Sequence, residues 1–413
     1  MVGFKYSSQD ILLLALVCLP YVYGQSGLEL VRLKNELFVT QNYNTKVRPV
    51  DDQSQAIVVN VDFALVGINS FSDSDQILTT TGYLTVKWID QSLDWISSNY
   101  DGITNMLVPQ DEIWKPDITL DNGVSSKTSM GQKFIQATVE STGQVTWSPY
   151  EVFETSCSVN IVHFPFDKQV CDIKFITYMY DDSKVRLQIG TQGFYLSNFE
   201  KNGKWDIESM TTSSETINGK TVISFTMNLQ RKSSFYMLFL ILPAILLSLL
   251  NAFVFVLPAG SGEKVGYTIA VFLSYALFYT ILSESLPQNS DDISTVAAYL
   301  FFMMFLSTLA TIVTIIELRI YNKPKTGRLP VNIVRFVKFV LHQRCMCSCC
   351  FKEDFMDEHT DGEWTKVIGP WLDCDWKDFV DALDFILFWA FLICTAVSTA
   401  VCLVMASSLT PLF

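Results

Sequence analysis

The chain has 413 residues, of which 49% are hydrophobic and 17% charged, with a formal net charge of −13. That length exceeds what one domain normally uses, and the apolar excess is too large for an ordinary soluble protein. The acidic balance argues against a nucleic-acid partner, whose phosphates favour a basic surface. The histidines His163, His342 and His359 form no cluster, and no nucleophile or phosphate-loop motif is present. An enzyme is therefore not expected, and no cofactor or metal is implied.

Lys5 precedes an apolar run over 11–19, and Val22-Tyr23-Gly24 places small residues at cleavage offsets, which predicts a secretory signal over 1–24. Residues 25–234 are then exported, with 25 acidic against 17 basic side chains and two cysteines, Cys157 and Cys171. In an oxidising space those thiols can pair. An acidic vestibule concentrates cations, although the same charge also serves plain solubility. Leu28, Leu30, Val31, Leu33 and Leu37 recur at helical spacing and predict one short helix over 28–40. From about 56 to 230 the chain alternates at period two, as over 56–63, 82–88 and 221–229. Turn signals such as Asp121-Asn122-Gly123 and Asn218-Gly219 separate these stretches, a pattern that predicts a β-sandwich.

Four apolar segments follow, at 235–258, 265–283, 294–317 and 380–405, each long enough to cross a bilayer. Arg319, Lys323, Lys325, Arg328, Arg335 and Lys338 crowd the end of the third. Positive-inside logic puts that end in the cytosol and both termini outside. The expected organisation is a sandwich over 25–234, three helices over 235–319, a cytoplasmic stretch over 320–378, and a fourth helix with an extracellular C-terminus over 379–413. Within the cytoplasmic stretch, 331–342 mixes apolar residues with Arg and Lys at amphipathic spacing. It reads equally as a helix on the membrane surface or a plain cytosolic helix. Cys345, Cys347, Cys349 and Cys350 follow, open to lipidation, metal binding or no chemistry.

The second apolar segment carries the strongest chemistry. Glu263, Gly266, Ala270, Leu273, Leu277, Ile281 and Glu284 recur at steps of three and four and so share one helical face. Acids stand at both ends of that face, with small or aliphatic residues between. Tyr267, Phe272, Tyr275, Phe278 and Tyr279 lie off it and are expected to pack on other helices. Copies arranged about an axis would give rings of Glu263 and Glu284 that favour cations, and apolar rings of Leu273 and Leu277 that close a pore by dewetting. One such helix cannot enclose a pore, so a cyclic assembly is required.

Thirteen residues separate Cys157 from Cys171 and include Phe164-Pro165-Phe166-Asp167. The chain also carries Gly262-Glu263-Lys264 at the start of the pore face, Trp114-Lys115-Pro116-Asp117, a stretch over 142–147, Pro243 in the first apolar helix, and Asp375-Trp376-Lys377 before the last. With these motifs the chain resembles the Cys-loop receptors, pentameric ligand-gated ion channels, and within them the nicotinic, cation-selective branch. The resemblance implies a β-sandwich extracellular domain plus a four-helix transmembrane bundle, in a pentamer with a central pore. It implies a Cys157–Cys171 disulfide and a multi-pass plasma-membrane protein, and it suits a synaptic site. Its partners would be four further subunits, in a homo- or heteropentamer, a small-molecule agonist, membrane lipid and permeant monovalent cations. By position, Phe164, Pro165 and Phe166 should press on the loop after the pore helix, near Leu286 and Pro287. Asp73 should pair with Arg231, whose charge reversal is expected to block gating and spare surface expression.

Amine-gated relatives cage the ligand in aromatic rings, whose faces attract a cation. Tyr83 and Tyr178 stand at two of those positions, and either also fits simple strand packing. Asp121 and Lys220 stand where further rings are expected, and the segment 210–220 has neither a tyrosine nor an adjacent cysteine pair. Asp121 suits an amine and Lys220 a carboxylate or zwitterion, so acetylcholine is expected to be a weak agonist. Gly266 and Ala270 replace the usual pore hydroxyls. The alternatives are an accessory subunit active only in heteromers and a non-conducting binding receptor.

Overall fold

The computed structural model describes residues 26–125, 129–285, 293–323, 330–344 and 376–407. Helix α1 (Gly27–Asn35) opens on Ser26, whose hydroxyl caps the Leu28 N–H at 3.2 Å. A π turn over Glu36–Thr40 continues it, and Leu33 and Leu37 reach the core. The single short helix expected here is present, with its last turn widened.

The alternating region forms β1 (Ile57–Ser72), β2 (Ile77–Asp94), β3 (Asn105–Pro109), β4 (Ile118–Leu120), β5 (Gln136–Glu140), β6 (Thr142–Trp147), β7 (Tyr150–Ser156), β8 (Lys168–Thr177), β9 (Val185–Glu200), β10 (Trp205–Ile217) and β11 (Lys220–Arg231). One sheet runs β3-β5-β6-β2-β1-β9, with β7 also on β2, and the other runs β10-β11-β8-β4. Period-two patterning sends alternate side chains inward, as with Leu84, Val86 and Trp88 on β2. Phe63 sits where the sheets meet, its ring 5.4 Å from Phe153, 5.5 Å from Phe225 and 5.9 Å from Phe175. Truncating any of these rings to alanine removes about 3–5 kcal/mol. The β10–β11 hairpin turns on Asn218 (φ 53°) and Gly219 (φ 78°), the left-handed pair that a two-residue hairpin loop requires.

Four helices are long and apolar enough to cross a membrane: α2 (Ser234–Val256), α3 (Lys264–Ser285), α4 (Thr295–Tyr321) and, after α5 (Val331–Arg344), α6 (Trp376–Ser407). Helix α2 widens to a π turn over Met237–Ile241, where the Leu242 N–H reaches back to the Met237 carbonyl. Pro243 follows at once and has no N–H to donate, so the ladder is already broken at this point. Leu240, Ala244, Val271, Tyr275, Leu300, Met303 and Cys402 form the bundle interior, and Ile161 and Phe164 of the sandwich complete it. Val337 and Val340 of α5 pack on Ala382 of α6, with Ile333, Phe379 and Phe385 around them. The amphipathic helix therefore spends its apolar face on α6. The signal segment, the thiols at 345–350 and Pro287 lie outside the described residues.

Candidate functional site

At the end of the sandwich nearest the bundle, Cys157 follows β7 and bonds to Cys171 on β8, with Cα atoms 5.2 Å apart. The Cys157 N–H donates to the Gln76 carbonyl at 2.9 Å, which ties the closed loop to the β1–β2 turn carrying Asp73. Arg231 ends β11 beneath both. Its Nε and Nη2 donate to Asp167 at 2.7 and 3.0 Å, and its Nη1 and Nη2 meet Asp73 at 2.9 and 3.0 Å. Trp205, Phe164 and Tyr236 surround the guanidinium at 4.3, 5.1 and 5.5 Å. Burial favours the neutral form of Arg231, but the bonds and charges of Asp167 and Asp73 outweigh it and raise its pKa. The Asp73–Arg231 contact is as expected. Asp167 of the loop motif is buried as well and takes a further bond from Gln169 Nε2 at 2.6 Å, a role that its place in the motif does not reveal.

The loop reaches the bundle through two contacts. The Val162 carbonyl accepts from the Thr295 N–H at 3.2 Å and from its hydroxyl at 2.8 Å, clasping the start of α4. Phe164 is buried with its ring 5.0 Å from Tyr236 at the start of α2. Pro165 is buried beside it and Phe166 half-buried. The expected contact with Leu286 and Pro287 falls outside the described residues.

Helix α3 is two-faced. Gly266, Ala270, Leu273, Leu277, Ile281 and Glu284 are exposed, while Lys264, Thr268, Val271, Tyr275 and Leu282 are buried on the opposite side. Leu273 and Leu277 are 59% and 62% exposed, and no other helix among the described residues covers them. Glu263 precedes the first residue of α3, and its carbonyl accepts from the Tyr267 N–H at 3.0 Å. The first acid therefore caps the helix rather than lying within it. Tyr275 is buried and Tyr267, Phe272 and Phe278 are half-buried, as expected. Tyr279 departs from that expectation and is exposed, because it lies on the flank between the two faces, where a single chain offers it no helix to pack on.

The four pocket residues are divided. Tyr83 projects from β2, half-buried, with its hydroxyl bonded to Ser197 Oγ on β9 at 3.0 Å. Tyr178 is exposed just beyond β8, and Asp117 of the Trp-Lys-Pro-Asp motif fixes that segment: its carbonyl takes the Tyr178 N–H at 3.0 Å and its carboxylate takes the Met179 N–H. Asp121 is exposed beyond β4, its N–H on the Lys174 carbonyl at 2.8 Å. Asp121, Tyr178 and Lys220 thus belong to the four-stranded sheet, and Tyr83 to the other. The Asn-Gly turn holds Lys220 with its Nζ donating to the Thr177 carbonyl at 3.2 Å and to the Tyr178 carbonyl, which uses two of the ammonium's three donors. A cavity of about 300 Å³ lies elsewhere, lined by Leu37, Tyr43 and Arg48 among others. Beside it Tyr43 donates to Asp90 at 2.6 Å and accepts the Trp114 N–H at 3.0 Å. Burial pushes the Asp90 carboxyl up to about 6, against the opposing bonds from Tyr43 and the Ser92 N–H.

The family profile for the neurotransmitter-gated ion-channel ligand binding domain matches residues 31–233, and that for the neurotransmitter-gated ion-channel transmembrane region matches residues 240–362. Neuronal acetylcholine receptor subunit non-alpha-2 of Carassius auratus is 33% identical over 321 residues, which cover 76% of this chain and 69% of that relative. The chain belongs to the neurotransmitter-gated ion-channel family. Neuronal acetylcholine receptor subunit alpha-6 of Homo sapiens is 34% identical over 316 residues (75% of this chain, 63% of that one). Neuronal acetylcholine receptor subunit beta-4 of Gallus gallus is 30% identical over 317 residues (76% and 66%). This family member spans about two thirds of the length of these relatives. Its ligand-binding region contains Tyr83, Asp121, Tyr178 and Lys220, and its transmembrane region begins inside α2 and takes in the two-faced α3.

Proposed function

We propose that this chain is one subunit of a pentameric ligand-gated cation channel at the plasma membrane, with the exposed face of α3 lining the pore. The observation that carries this reading is α3 itself, a membrane-length helix that leaves Leu273 and Leu277 uncovered while burying its other side. Five such faces about an axis satisfy those leucines, set Glu263 and Glu284 as acidic rings at the two mouths, and leave Leu273 and Leu277 as the dewetting gate. Agonist binding between sandwiches would use Tyr178 and Asp121 from one subunit and Tyr83 from the next, because one chain places them in different sheets. Movement of the sandwich then passes through Arg231, Phe164 and Val162 to the starts of α2 and α4. Permeant ions are monovalent cations, and the agonist is a small molecule recognised beside an acid and two phenol rings.

The test is to express the chain alone and with nicotinic subunits, count subunits per complex, and record currents from wild type and Leu273→Thr. Five subunits per complex, with currents in Leu273→Thr at rest, support the reading. Surface complexes of another number, or Leu273→Thr complexes without resting current, refute it. A second reading, an accessory subunit active only in heteromers, is favoured by the engaged Lys220 and the missing rings of the cage. It predicts pentamers and current only with partners present.

A further inference from the structure

The described residues include one fully buried lysine in the bundle, and it sits next to the mouth. Lys264 follows Glu263 in the chain but turns the opposite way, 0% exposed, with Nζ 2.8 Å from Glu317 Oε2 on α4 and hydrogen-bonded to Asp384 on α6. The Phe255 ring at the end of α2 lies 5.5 Å from the same nitrogen. All four membrane-length helices therefore meet at this ammonium. Glu317 is also 0% exposed, and its second oxygen, Oε1, is buried without a hydrogen-bond partner. Lys323 lies over Trp376 at 4.5 Å and Lys377 over Tyr321 at 4.8 Å, and the ion pairs of Glu317 and Asp384 are made with Lys264 and not with these lysines.

The charge count is the informative part. A lysine beside each Glu263 would cancel an acidic ring if left alone, since the two charges lie well within a screening length of about 8–10 Å. One carboxylate suffices to cancel Lys264, and the bundle supplies two. With both carboxylates ionised, one negative charge per subunit is left over behind the wall at the inner end of α3, where solvent screens it less than it screens an exposed ion. Packing does not require that surplus, because Asp384 alone would answer the ammonium.

We propose that Glu317 is a selectivity-setting residue: acting through Lys264, it leaves the inner end of α3 net negative and reinforces the Glu263 ring toward cations. It touches no permeating ion. This inference rests on α3 lining the pore. The cluster carries −1 in the wild type, 0 in Glu317→Gln, and −1 again in the double variant Lys264→Gln/Glu317→Gln. Reducing the surplus should lower the cation concentration at the inner mouth about two-fold, once around the ring.

The experiment is single-channel recording and salt-dilution reversal potentials on the full chain, in whichever assembly conducts, with Glu263→Gln as the reference. Glu317→Gln should cut conductance about two-fold and move the reversal potential toward weaker cation preference. The double variant should restore both, and Glu317→Asp should keep them. A merely structural role would not return with the second substitution. Asp384→Asn removes the same charge from another helix and should match Glu317→Gln, so the proposal remains testable where one variant does not reach the surface. If Glu263→Gln lowers conductance while Glu317→Gln and Asp384→Asn do not, the cluster is already neutral and the proposal is overturned. If Glu263→Gln is silent as well, the pore reading itself fails.

Discussion

Replacing Asp167 with asparagine should damage this protein more than replacing Asp73, although both carboxylates face the same arginine. Asp167 is 2% exposed and bonds Arg231 at 2.7 and 3.0 Å, and it also receives Gln169 at 2.6 Å. Asp167→Asn leaves Arg231 paired with Asp73, but it loses charge-assisted bonds that no water replaces, at a cost of about 3 kcal/mol. The Asp73 side chain is 13% exposed, and its loss leaves a neutral, still buried Arg231–Asp167 pair. Losing its charge-assisted bonds costs about 1.5–3 kcal/mol, toward the lower end because water reaches it. Arg231→Glu would gather three carboxylates in one buried pocket. The reversal expected to spare surface expression should therefore abolish it. The measurement is thermal unfolding of the detergent-solubilised full chain, with surface biotinylation alongside. Equal shifts for Asp167→Asn and Asp73→Asn, or a wild-type unfolding temperature for Arg231→Gln, would refute the reasoning.

Asp90, buried with Tyr43 against it, holds a pKa of about 6 in the folded chain, above the 3.8 of a free aspartate. The folded state therefore binds its proton more tightly, and this group's contribution to stability falls as pH rises from 4 through 6. The loss is about 3 kcal/mol at most, and Asp90→Asn should flatten that slope between pH 4.5 and 7 in thermal unfolding. Lys220→Gln should cost about 1 kcal/mol through the two carbonyls it frees, without changing the preference between amine and carboxylate ligands. Loss of carboxylate responses alone, at unchanged stability, would mark Lys220 as a ligand group. Cys157→Ser should remove about 2–5 kcal/mol and most surface expression, read by biotinylation. Wild-type surface levels would show that the loop holds without its bond.

The parts of the fold that follow local periodicity were legible in the sequence. Alternation located the strands, Asn218-Gly219 located a hairpin, and three-four spacing identified the exposed face of α3. The Asp73–Arg231 contact was legible only through family resemblance, because its partners are 158 residues apart. What remained hidden shares that property. Glu317 and Asp384 lie 53 and 120 residues from Lys264, and no local pattern reports such a meeting. The motif Gly-Glu-Lys drew attention to its glutamate, while burial makes the lysine the more tightly held of the two. The contacts of Lys220 were hidden for a related reason, since the turn geometry and not the residue type sets its Nζ on the Thr177 and Tyr178 carbonyls.

The last helix has 32 residues, about 48 Å of α-helix at 1.5 Å per residue, against a hydrocarbon core of about 30 Å. Trp389, Ile393, Val397 and Val401 line its uncovered side. The overhang, together with the docking of α5 on Ala382, puts the end near Trp376 beyond the fatty layer. Asp384, eight residues along, then stands about 12 Å in, close to the border between acyl chains and headgroups. That carboxylate is only 6% exposed, so neighbouring helices rather than the lipid supply its cover, and the bundle keeps its own dry interior at the depth where the bilayer begins to admit water.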